Sequence, residues 1–153
     1  MLARMRGTLL LVASLLLPAC APRTARVMRA DGDLAIAWSD AERAKPIAVR
    51  PLRADDRHSV MLVRLAGAEK PHIHADHDLV VVLLSGRVRM HLFGTTGTTS
   101  HGHVQPLGPG DVVEIPRGFA HWAENIDADA SVAYVISTPP YDPADTVPVE
   151  PGR

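Results

Sequence analysis

The sequence predicts a single all-β domain, an antiparallel sandwich or small barrel, and three observations predict it. Apolar side chains alternate with polar ones in short runs between residues 60 and 136. Glycine and proline punctuate those runs at short spacing. Helical signals are confined to one turn near residue 40. Many short strands with turn chemistry between them, and almost no helix, make a closed or double-layered β architecture.

Taken in order, the chain opens with Arg4 and Arg6, then the apolar run Leu9 to Leu17, closed by Pro18-Ala19-Cys20. Residues 1–19 read as a secretory signal peptide, since the apolar run is too short for a bilayer-spanning helix. Leu17-Pro18-Ala19-Cys20 resembles a bacterial lipobox, in which cleavage leaves the cysteine N-terminal and lipidated. Cys20 is the only cysteine of the chain, so it has no intramolecular disulfide partner and lipidation accounts for it. The expected location is the cell envelope, with the domain anchored to the membrane by lipid. With Ala21 rather than aspartate after Cys20, the lipoprotein resemblance implies the periplasmic face of the outer membrane in a Gram-negative source. Removing residues 1–19 takes away two arginines and no acidic side chain, which moves the net charge from −1 to −3. No basic stripe remains to hold nucleic acid.

Residues 20–32 carry Arg23, Arg26 and Arg29 without periodicity, as a flexible tether would. Residues 33–137 hold the folded domain. Ser39 and Glu42 have capping-box spacing, which predicts a helical turn over Asp40 to Ala44, ended by Pro46. Strand patterns follow at Val60 to Leu65, Val80 to Leu84, Val88 to Leu92, Val112 to Ile115 and Val132 to Ile136, with a Thr- and Gly-rich loop over Gly94 to Gly102. Residues 138–153 contain five prolines, too many for a central strand. They are expected to form an extended, surface-lying tail.

Two stretches carry chemistry. His72-Ile73-His74 places two imidazoles on one face of a strand. Gly110 to Asn125 reads as a turn, a strand, a Pro116–Gly118 corner and then His121. Three histidines can therefore reach one metal ion. Gly110, Pro116, Gly118, His121 and Asn125 match every defined position of the second cupin signature, and Gly67, His72, His74 and Gly86 resemble the first. The chain thus resembles the cupin family over Gly67 to Asn125. The resemblance implies a double-stranded β-helix, a jelly-roll barrel holding a divalent metal inside through His72, His74 and His121.

The first signature also carries a glutamate, and counting back from Gly86 puts Leu79 there. Three cases follow. The three histidines bind alone, leaving the metal charge uncompensated and favouring anionic, chelating substrates. Alternatively Asp78, through a β-bulge, or His77, which shares the parity of Leu79, supplies an additional ligand. In the third case no metal binds. Phe119 and Trp122, flanking His121, are expected to line a pocket, and Asn125 to satisfy backbone groups near the Pro-Gly corner. His58, His91, His101 and His103 receive no site role, His91 being expected to face outward.

Some cupins with three-histidine sites are thiol or diketone dioxygenases. The leading expectation is therefore metal-dependent, dioxygenase-like oxidoreductase chemistry on a small anionic molecule, with iron favoured over manganese, zinc or nickel. A non-catalytic envelope module, either a sensor or a transporter partner, is the alternative, and a metal-free structural lipoprotein is a third. The expected partners are a small molecule, the membrane and a second copy in a homodimer.

Overall fold

In the computed structural model, residues 37–95 and 102–150 are described. The signal over 1–19, Cys20, the tether through residue 32 and His101 lie outside the described residues.

The helical turn forms as α1, Asp40–Arg43, and its capping box is complete: Ser39 Oγ accepts from Glu42 N–H while the Glu42 carboxylate accepts from Ser39 N–H. Glu42 also binds Arg50 at 2.5 Å, and the Arg50 guanidinium lies 4.4 Å from the Trp38 ring centre, so the turn is fastened to the first strand.

The strands are β1 Ile47–Ala54, β2 Ser59–Leu65, β3 His72–His74, β4 Asp78–Ser85, β5 Val88–Thr95, β6 His103–Leu107, β7 Val112–Ile115, β8 Phe119–Asn125, β9 Ser131–Thr138 and β10 Thr146–Pro148. They form two antiparallel five-stranded sheets, ordered β1-β2-β9-β4-β7 and β10-β3-β8-β5-β6. This is the jelly-roll barrel that the sequence resemblance implies. Met61, Leu65, Leu79, Leu83, Val88 and Met90 belong to the buried core, contributed from both sheets. Leu79, at the position where the first signature expects glutamate, is 8% exposed and part of that core.

Three strands escape the sequence pattern: β1, β6 and β10. Each is an edge strand and each contains a proline, at Pro51, Pro106 and Pro148. Proline cannot donate to a ladder, so it is tolerated where one side of the strand has no neighbour, and Pro51 adjoins a register shift. The segment expected as a surface tail is therefore corrected. It folds back through a 3-10 turn at Pro143–Asp145 into β10, which pairs with β3.

Turn chemistry sets the strand ends around the signature. Gly118 has φ +72°, a left-handed conformation that residues with a side chain resist, and its N–H donates to His74 O at 2.6 Å. That bond ties the Pro-Gly corner to β3. Asn125 serves a different turn from the one expected. Its Nδ2 donates to Asp127 O and Asp129 O, and its Oδ1 accepts from Ser131 Oγ at 2.6 Å, which closes the β8–β9 connection.

Candidate metal centre

Strand alternation on β3 turns His72 and His74 to the barrel interior. The antiparallel register then sets His72 directly opposite His121 on β8. The ring centres lie 4.4 Å apart for His72 and His121, 4.9 Å for His72 and His74, and 5.4 Å for His74 and His121. One ring nitrogen from each histidine falls within 4.8 Å of those from the other two. A single ion bonding each nitrogen at about 2.0–2.1 Å requires only that the rings draw inward.

The hydrogen bonds fix which nitrogen is free. His72 Nδ1 lies 2.8 Å from Lys70 O, and His121 Nδ1 lies 2.9 Å from Phe119 O. A carbonyl oxygen can only accept, so each Nδ1 carries the proton and each Nε2 keeps its lone pair. His74 Nδ1 is buried without a hydrogen-bond partner. Burial pushes His121 down to about 3, and neighbouring His72 and His74 act in the same direction. Burial, with His72 next, pushes His74 down to about 4. Both rings are neutral across the physiological range, as a metal ligand must be. Three imidazoles converging on one point, with an orphaned buried nitrogen among them, fit a divalent transition metal.

The two candidate additional ligands go elsewhere. Asp78 lies on the surface and accepts from Arg117 N–H at 2.9 Å and Arg117 Nη2 at 2.5 Å. Arg117 accordingly holds the Asp78 carboxyl down to about 2. β4 has no bulge at Asp78, whose register partner is Thr138, so the side chain keeps the parity opposite to inward Leu79. His77 is buried, but its Nδ1 sits 2.5 Å from Asp145 Oδ2 and its Nε2 lies 2.8 Å from Pro140 O. The Asp145 approach is off-line for a hydrogen bond, so the attraction is one of proximity. His77 clasps the C-terminal segment instead of joining the three histidines.

That segment delivers what the sequence pattern missed. Asp145 also accepts from Asp76 N–H through both oxygens, at 3.0 and 3.1 Å. Burial raises the Asp145 carboxyl, but the Asp76 N–H and His77 outweigh it and leave it lowered. Tyr141 packs 6.1 Å from His74 and 5.9 Å from His77, ring centre to ring centre. Thr146 is the register partner of His74, and its Oγ1 is buried without a hydrogen-bond partner. From the other side comes Glu69, whose Oε2 accepts from Ala123 N–H at 2.8 Å. Burial raises the Glu69 carboxyl, with His72 and the Ala123 N–H opposing. A lone glutamate in a polar connection, and a threonine among prolines, carry no periodic signal.

Phe119 and Trp122 do not line the cavity that the histidines face. With His121 inward, Trp122 must point outward, and it stacks 4.3 Å from His91 at 7° and 4.7 Å from Phe93 at 9°. Phe119 packs against the edge of the core cluster. His91 occupies the outer face, as its parity demands.

Fold and site together define a double-stranded β-helix with an interior three-histidine cluster. The chain belongs to the cupin family, whose model, described as Cupin, matches residues 57–147. It is 36% identical over 92 residues to an uncharacterized protein of Aquifex aeolicus (strain VF5), covering 60% of this chain and 69% of that one. TT1209 from Thermus thermophilus superposes with a TM-score of 0.53 at 25% identity, covering 68% of this chain and 98% of that one. KdgF from Halomonas sp. does so with a TM-score of 0.54 at 23% identity, covering 68% and 88%; at that identity the likeness concerns the fold alone.

Proposed function

We propose that this cupin is an exported, lipid-anchored metalloprotein that holds a divalent cation through His72, His74 and His121 and acts on a small molecule coordinated beside it. The observation that carries this reading is the orientation of the rings. The Lys70 and Phe119 carbonyls hold Nδ1–H of His72 and His121, and each Nε2 lone pair is thereby free for one ion. Iron is the favoured metal for catalysis, and the reaction class is dioxygenase-like.

When bound, such a metal supplies Lewis acidity and open coordination positions for an oxygen-bearing substrate. The chain's own groups do the rest. The histidines contribute no negative charge, so a substrate head that supplies one is favoured. Glu69, with its carboxyl raised by burial, can hold a proton beside His72. The cavity beside the histidines has a mostly apolar lining, which lowers the local dielectric around the reacting head.

Elemental analysis of the purified full chain tests the reading. Wild type is expected to carry one metal ion per chain, and His72→Ala and His121→Ala to carry almost none. A wild type that takes up no metal at any loading condition sinks it. The non-catalytic alternative draws on the fact that, among the described residues, no carboxylate joins the group of His72, His74 and His121. Tightly held zinc with no oxygen uptake on candidate substrates selects it. Membrane attachment that survives intact in Cys20→Ser removes the lipid anchor.

A further inference from the structure

The histidines open onto a cavity of about 530 Å³ between the two sheets, within the range of small-molecule sites. Its wall is aliphatic and comes from both sheets: Met61, Leu79, Leu83 and Ile115 from one, Val88 and Met90 from the other. Protein interiors ordinarily interdigitate to crystal-like density. Here Ala123 of β8 and Ala133 of β9, one on each sheet, line the space with the smallest side chains that still carry a Cβ. Polar groups are few in the lining. Beside the histidines stand Glu69, Lys70, Tyr141 and Thr146, with Thr146 placed by register against His74; Ser131 also lines the space, its hydroxyl engaged with Asn125. The Thr146 hydroxyl is buried and unpartnered, an arrangement that costs stability unless a ligand completes it.

A site for a small, fully polar anion needs little of this wall. Resting on the metal reading above, we propose that the ligand has a hydrocarbon body and one oxygen-bearing head, with the body among the aliphatic side chains and the head at the histidines, hydrogen-bonded by Thr146. The metal selects the head and the wall selects the body. Charge complementarity thus explains only one end of the molecule.

Straight-chain alkyl hydroxamates of two, four, six and eight carbons keep one chelating head and vary only the body. Their affinities for the cobalt-loaded full chain can be read by calorimetry. Each buried methylene is worth up to roughly fourfold, so the eight-carbon member is expected to bind on the order of a hundredfold or more tighter than the two-carbon member. A gain below about fivefold across the series overturns the proposal. Ala133→Phe, or Ala133→Leu if the larger side chain does not fold, should erase most of the gain. An unaltered slope means that the tails bind elsewhere, and overturns it too.

Thr146→Val keeps the shape of the side chain and should weaken every member by about the same five- to tenfold, the value of one hydrogen bond, while leaving the slope in place. Equal affinities in that variant remove the assigned head contact. Full metal loading with flat affinity sinks this inference and spares the metal reading. Conversely, 1-alkanol affinity that climbs with chain length in a protein taking up no metal spares the inference and sinks the metal reading.

Discussion

Gly110 to Asn125 and residues 138–148 both build the histidine site, and they do so by opposite means. The first is local: a glycine turn, a four-residue strand, a left-handed Gly118 and an inward His121, each legible from its own neighbours. The second is wholly tertiary. Pro140, Asp145 and Thr146 reach the site because Asp145 meets His77 and Asp76, which lie 68 and 69 positions earlier in the chain, and because β10 pairs with β3. The difference teaches that ligands and the groups around them need not share a sequence signal. Ligands recur in a spacing, whereas their surroundings need only arrive.

The largest effect should come from the signature itself. His121→Ala is expected to lower metal affinity by more than the roughly 10–100-fold typical of groups that merely support a ligand. Asp145→Asn should fall within that supporting range, because an Asp145 carboxylate oxygen lies within 4.8 Å of a ring nitrogen of His74. Competition with a chelator of known affinity measures both, and equal losses would break the contrast between the two regions.

The next effect is pH-dependent stability of the metal-free protein. His74 and His121 are held neutral by burial, with folded values of about 4 and about 3. Once unfolded they protonate near 6.5, so the unfolded chain binds more protons between 6.5 and those values, and stability falls as pH drops through that window. The loss is on the order of a few kcal/mol. Urea unfolding across that window should show this slope, and His121→Gln should flatten part of it.

Asp145→Ala should destabilise the fold by about 1–3 kcal/mol, because it leaves the Asp76 N–H without its acceptor and removes the carboxylate that lies against the buried His77. Wild-type-like unfolding in this variant would show that the C-terminal segment merely lies on the barrel. The smallest effect belongs to Asp78→Asn. Its pairing with Arg117 is exposed and contributes little to stability, and metal content should not change. Loss of metal there would restore Asp78 as a ligand.

Periodicity identified the well-patterned strands, the edge strand β7 among them, and missed the other three edges for one reason. β1, β6 and β10 each tolerate a proline because one flank lacks a partner, so their sequences lack the run that marks a central strand. The Pro-Gly corner and the signature resemblance put His121 inside. Parity along β8, applied to the next residue, places Trp122 outside, and its expected pocket role fails on that count.

The sequence by itself determined the barrel, the inward histidines and the absence of glutamate at Leu79, because strand alternation and turn chemistry act between neighbours along the chain. Tertiary structure decided the rest: that Asp78 is taken by Arg117, that His77 clasps Asp145, and that Glu69, Tyr141 and Thr146 surround the histidines. Those outcomes depend on which distant backbone packs beside which. Local sequence does not encode that; only burial and pairing across the closed barrel impose it.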